Sequence, residues 1–394
     1  MEAAAARANP AHPANSASRL ADAFDPRNNS LNALRLLFAT LVIFGHAVLV
    51  GGYLVPRPVM LTLGEVPVDG FFVISGFLIS RSWTRRPSWQ GFLWHRVLRI
   101  FPGFWVTLLA TALIFAPIGV LLRGWPLSSY WGAVQGPWGY LWHNALLWIG
   151  QEGIAGTPNQ VPYPGVWNAP LWTLYWEFLC YLGAGLLGAL GVLTRRRSWL
   201  LAGMIALWLV IVARAFVPAF DQAYFSSFIG LVMPRLVLMF LIGCVLFCYS
   251  ERVPMDGWFA AAAALIVLGA LMSGVEYRAL GAFALGYLVL WIGCRVPVRW
   301  GSRHDVSYGL YIYAFPIQQL LVIGGVAVIG WWWSGLLALA LTVPLAWLSW
   351  WAVERRALAW KSRGPGGHVG TPGPGWLALI LAADSALMFT PRGH

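Results

Sequence analysis

Apolar runs of about 20 residues follow one another along nearly the whole chain, each long enough to cross the hydrocarbon core of a bilayer. That repetition leaves few folds open. Backbone in lipid must satisfy its own hydrogen bonds, so continuous apolar runs of this length form helices. The expectation is an all-α integral membrane protein, with ten helices at about 31–52, 66–82, 97–118, 170–193, 199–217, 228–250, 258–274, 277–293, 306–326 and 329–352. The stretch at about 138–150 is too short to span and reads as interfacial or re-entrant. Only 10% of the 394 residues are charged, against roughly 25% in a soluble domain.

The few charges are unevenly placed. Arg81, Arg85, Arg86, Arg96 and Arg99 follow the second run, Arg195, Arg196 and Arg197 the fourth, and Arg295, Arg299 and Arg303 the eighth. Arg355, Arg356, Lys361 and Arg363 close the chain's apolar part, whereas the alternate loops carry little beyond Arg57, Arg123 and Arg278. Positive residues concentrate on the cytoplasmic side, so ten spans put both termini in the cytoplasm of a multi-pass inner-membrane protein. The net charge of +12 is then a topology signal and a complement to anionic lipid, with no nucleic-acid partner implied.

Residues 1–30, rich in Ala, Asn and Pro, read as a disordered cytoplasmic extension. Residues 31–354 form the transmembrane domain, and 355–394 a Gly/Pro-rich cytoplasmic tail that includes an apolar stretch at 376–390. Cys180, Cys244, Cys248 and Cys294 all fall within expected helices and show neither a metal nor a disulfide pattern.

Against this background the intramembrane charges stand out. Arg35 and His46 lie in the first run on one helix face, roughly 16 Å apart along the axis. A charge near the bilayer centre costs roughly 2.5–3.5 kcal/mol even on the lenient scale, so both point into a polar cavity. His46 is a candidate general base or acyl-accepting nucleophile; the plainer reading is an interhelical hydrogen bond. Asp69, at the outer start of the second span, either orients the His46 imidazole or caps its own helix. Ser75 and Gly76 read as small residues that let helices approach.

Arg96 and Arg99, three residues apart, share a face; they are either topology anchors or a clamp for donor phosphates, with Arg35 beside them. Glu177 sits about two turns inside the fourth span, where it needs a cavity or a partner. Just before it, Asn168, Trp172 and Trp176 are candidate acceptor contacts, the two tryptophans forming a platform for a sugar ring or an interfacial anchor. Asp221, Arg235, Glu276 and Arg278 read as ordinary loop charges.

Taken in order, these segments resemble the integral-membrane acyltransferase family 3. The resemblance rests on Arg35 followed by His46, Val68-Asp69-Gly70-Phe71-Phe72-Val73-Ile74-Ser75-Gly76, and Arg96 with Arg99 before Pro102. Leu171 to Glu177, Ser307-Tyr308-Gly309-Leu310-Tyr311-Ile312-Tyr313 and Val353-Glu354-Arg355 complete it. The chain departs at Ala314, where many relatives carry a histidine, and it carries no appended hydrolase-like domain. The resemblance implies an acyl-CoA co-substrate used from the cytoplasm, a glycan or lipid-linked sugar acceptor, and no metal or other cofactor. The expected activity is O-acylation, with acetyl as the first candidate group and His46, Asp69 and Glu177 at the catalytic centre. The alternative is a secondary transporter or flippase, in which the same charges form a solute path.

Overall fold

A computed structural model describes residues 18–224, 227–301 and 304–364. Among these, helices form at each of the ten expected positions: α1 Leu31–Gly51, α2 Val66–Arg85, α3 Trp89–Ala110, α4 Trp172–Ala189, α5 Arg197–Phe216, α6 Phe228–Cys248, α7 Gly257–Met272, α8 Tyr277–Arg295, α9 Ser307–Ile323 and α10 Trp331–Ser349. Seven helical segments are long and apolar enough to cross a membrane, fewer than the ten expected. The remaining positions, α4, α7 and α9, hold helices of 18, 16 and 17 residues. Glycines cut two of them short. Gly274 and Gly325 take left-handed φ of 75° and 83°, just past the ends of α7 and α9. The stretch near 138–150 contains only the short helix Pro137–Asn144.

At the centre, α9 is buried from Ser307 to Gln319. Gln318 donates to the Ile43 carbonyl of α1 at 2.6 Å, and Gly309 lets α9 close on Ala346 of α10. On the other side α2 and α6 touch through their backbones: a Cβ on Gly76 would lie 2.0 Å from the Phe240 carbonyl oxygen, and one on Gly243 2.1 Å from that of Val73. Gly76 thus has the small-residue packing role expected of it. In contrast, α5, α7 and α10 leave rows of large apolar side chains exposed, such as Leu265, Leu268 and Leu348. These are surfaces suited to lipid.

The N-terminal extension departs from expectation over its described part. Residues 18–30 are docked on the bundle: Leu20 is fully buried and donates to the Val253 carbonyl, and Phe24 packs edge-on against Phe77. The burial of Leu20, with Phe24 half-buried beside it, outweighs the local Ala/Asn/Pro composition. Residues 1–17 and the apolar stretch 376–390 lie outside the described residues. Helical structure also runs past residue 354, through Arg355–Ala359 to Arg363.

The arginine-rich segments meet at one end of the bundle, which we call the basic end: Arg197 reaches the Cys248 carbonyl, Arg295 that of Met255, and Trp94 that of Trp360. The long segment 123–168 lies at the other end, tied there by Arg123 to Asn159 and Gln160 and by Gln319 to the carbonyls of Tyr163 and Val166.

Candidate active site

Arg35, Arg96, Arg99 and Glu177 converge at the basic end. Asp305, in the loop before α9, accepts from Arg35 Nη1 at 2.9 Å and Arg99 Nη2 at 2.5 Å, and Ser307 Oγ donates to its other oxygen. Burial alone would push this carboxyl up, but the two guanidinium groups outweigh it and hold it well below the usual carboxylate range. Arg96 lies over the rings of Phe92 and Tyr181, and its Nε is buried without a hydrogen-bond partner among the described residues. Tyr181 and Ser75 both donate to Glu177 Oε1, the latter at 2.9 Å.

Next to Arg35 and Glu177 lies a chamber of about 40 Å³, lined also by Phe71, Ser307, Tyr308 and Tyr311. Its far wall is aromatic: Phe71 meets Phe38 at 5.7 Å and Tyr311 at 5.9 Å between ring centroids. We refer to these rings as the neck. Glu354 is also buried, with Oε1 accepting from Ser349 and Oε2 without a partner among the described residues.

His46 stands about three turns further along α1. Its half-buried imidazole makes an edge contact with Phe315 at 5.1 Å and no hydrogen bond or ion pair among the described residues. Phe315 in turn meets Tyr163 at 5.9 Å, so His46 lies beneath the segment 123–168. Among the described residues, the interhelical hydrogen bond expected of a structural histidine is not made.

Asp69 does not pair with His46. It is fully buried and accepts from Arg278 Nε at 2.6 Å and from the Tyr277 hydroxyl. Arg278, 1% exposed, also bonds Glu65 at 2.7 Å and Glu276 at 2.7 Å, while Arg235 shares the same Glu65 oxygen at 2.8 Å. Arg235 and Arg278 are thus not free loop charges but part of a network, centred on the buried Asp69–Arg278 pair, that joins the outer starts of α2 and α8 to α6. The reason is energetic: a buried guanidinium without its counter-charge is far costlier than an imidazole without an orienting carboxylate.

Asn168 is buried, and its amide donates to the Ile312 carbonyl at 2.9 Å, which fastens the start of α4 to α9. Trp172 and Trp176 face away from the arginine chamber and line a separate cleft of about 250 Å³. The structure therefore separates the expected site into three places: the arginine chamber with Glu177, the unpaired His46, and the tryptophan cleft.

Sequence reasoning missed Asp305 and undervalued Arg278. An acidic residue in an otherwise basic loop, immediately before the Ser-Tyr-Gly-Leu-Tyr run, is the available signal for the first. For the second it is an arginine one residue inside the N-terminus of an apolar helix.

The family described as "Acyltransferase domain" matches residues 28–351. The chain is 28% identical over 353 residues to an O-acetyl transferase of Shigella phage Sf6, covering 85% of this chain and 98% of the relative. It is 28% identical over 357 residues to Nodulation protein 10 of Rhizobium leguminosarum bv. viciae, covering 84% and 93%. It is also 28% identical over 269 residues to the exopolysaccharide production protein ExoZ of Rhizobium meliloti (strain 1021), covering 64% and 76%. No solved structure matches it.

Proposed function

The chain belongs to this acyltransferase family, and we propose that it transfers an acyl group, acetyl first among candidates, from cytoplasmic acyl-CoA to a sugar hydroxyl of an envelope or exported glycan. Relatives named for O-acetyl transfer and exopolysaccharide production support the acetyl transfer and the glycan acceptor. In this reading all ten helices span the cytoplasmic membrane, and the basic end, with both termini, is cytoplasmic. The arginine asymmetry supports that orientation.

Arg96 and Arg99, with Arg35, take the donor phosphates, because guanidinium groups pair bidentately with phosphate oxygens. Glu177, in the wall of the chamber, is itself held by hydrogen bonds from Ser75 and Tyr181. The donor's flexible arm carries the thioester past the neck towards His46. There the imidazole accepts the proton of a sugar hydroxyl, and the oxygen attacks the thioester carbonyl. The C–S bond then breaks, and the thiolate leaves and recovers the proton. In the covalent variant His46 attacks first and passes the acyl group on. Asp69 acts at a distance, holding α2 against α8, and Asn168 supports the acceptor platform of Trp172 and Trp176.

The observation that carries this reading is the unpaired His46 imidazole on the same helix as Arg35. The test measures free CoA released from acetyl-CoA by purified protein supplied with glycan-containing membrane extract. Release should require the extract and fall roughly 10²–10⁴-fold in His46→Ala, the usual span for a general base. Equal release by both proteins would remove His46 from the reaction; no release by correctly folded wild type with any acyl-CoA would overturn the reading.

A further inference from the structure

The cleft at the end opposite the arginines has the build of a sugar subsite. It is lined by Trp148, Tyr163, Trp172, Tyr175 and Trp176, together with one acid, Glu152. Its volume, about 250 Å³, lies just under the roughly 300–1,000 Å³ of pockets for drug-sized ligands, the scale of one sugar ring. The Glu152 side chain is exposed and makes no hydrogen bond or ion pair among the described residues, so its oxygens are open to hydroxyl donors. The aromatic wall is continuous: Trp148 meets Tyr175 edge-on at 5.3 Å, and Tyr175 meets Trp176 at 5.4 Å.

The wall is also rigid. The Asn144 carboxamide bonds the backbone of Gly150 and Gln151, and Gln151 Nε2 donates to the carbonyls of Gln135, Gly136 and Gly153. Gln319 holds the Tyr163 carbonyl from α9 at 2.9 Å. A loop already bonded in this way loses little further freedom when a ligand enters. Tyr163 borders the cleft and also touches Phe315, which in turn meets His46.

We propose that this cleft anchors one sugar ring of the acceptor chain, stacked on the Trp148, Trp172 and Trp176 faces with its hydroxyls on Glu152, while another ring of the same chain presents its hydroxyl to His46. The cleft thereby selects a polymer over a free sugar. This inference rests on the acyl-transfer reading above.

The test uses size-graded fragments, one to six rings long, of the source organism's own envelope polysaccharide. Two readouts keep the reading and the cleft apart: equilibrium dialysis of fluorescently labelled fragments against full-length protein in detergent, and CoA release with acetyl-CoA. Wild type should bind and acylate the longer fragments with a KM well below that for a single ring. Trp148→Ala and Glu152→Gln should each raise the longer-fragment KM roughly tenfold, the size of losing a central aromatic or charged contact, with the KM for acetyl-CoA at its wild-type value. Fragment binding that depends on Trp148 and Glu152 without any CoA release would keep the cleft and overturn the acyl-transfer reading. CoA release indifferent to fragment length, or to both substitutions, would overturn the cleft alone. So would competition by choline and not by fragments, since an aromatic pocket with one acid also suits a quaternary ammonium.

Discussion

Asp305 serves two arginines at once, and its loss leaves both Arg35 and Arg99 short of a counter-charge. Asp305→Asn should therefore lower stability by about 1–3 kcal/mol, because the freed guanidinium donors remain mostly buried. Thermal unfolding in detergent measures this, and a change below 0.5 kcal/mol would show that the bridge is not formed. Because the folded carboxyl titrates below its unfolded value, its stabilisation is fully present above about pH 4 and lost only as pH falls through the folded value. The deficit of the variant should accordingly be flat between pH 5 and 8, and a deficit that fades across that window would contradict the pairing. At this scale sequence and structure agree in part. Arg35, Arg99 and Glu177 are legible because a charge inside an apolar run must find company. Their company is not: Asp305 lies 270 residues from Arg35, and Arg278 lies 209 from Asp69. Pairing over such separations is decided by the packed bundle. Asp69 and His46 look close on paper because both lie near the outer ends of consecutive spans, but the buried Arg278 claims the carboxylate.

Among the elements, α2 does the most varied work. One side of it offers Val68, Phe71 and Phe72 to the arginine chamber, another commits Asp69 to Arg278, and Gly76 meets α6. Because the atom opposing a Cβ at Gly76 is a backbone oxygen, no side chain can swing aside to admit it. Gly76→Ala should force the two helices apart at a cost of about 1–3 kcal/mol, the usual penalty for overpacking. Gly64→Ala, at a position with open space around it, should stay within about 0.5 kcal/mol of wild type. Equal effects of the two would mean that α2 and α6 do not approach as described. Helix positions are well legible in this chain because apolar runs announce them. Helix lengths are less so, since glycines such as Gly274 and Gly325 end a helix inside a run that remains apolar.

For the whole molecule, orientation is the property on which the proposed reaction depends. A fluorescent protein fused after Gly364 should fluoresce, and alkaline phosphatase at the same point should be inactive; a truncation fused after Gly274 should show the reverse. The opposite pattern would invert the membrane topology and put the donor arginines on the wrong side for a cytoplasmic thioester. The neck has a bearing on the cell that reaches beyond the reaction itself. A protein with polar groups along one helix from end to end is a hazard to any membrane that stores energy as a proton gradient. The cavity beside Phe71 and Tyr311 is small, about 40 Å³, and these aromatic rings form its wall. In the proposed orientation the neck sets apolar rings between Arg35 and His46, where an ion would have to give up its water to pass.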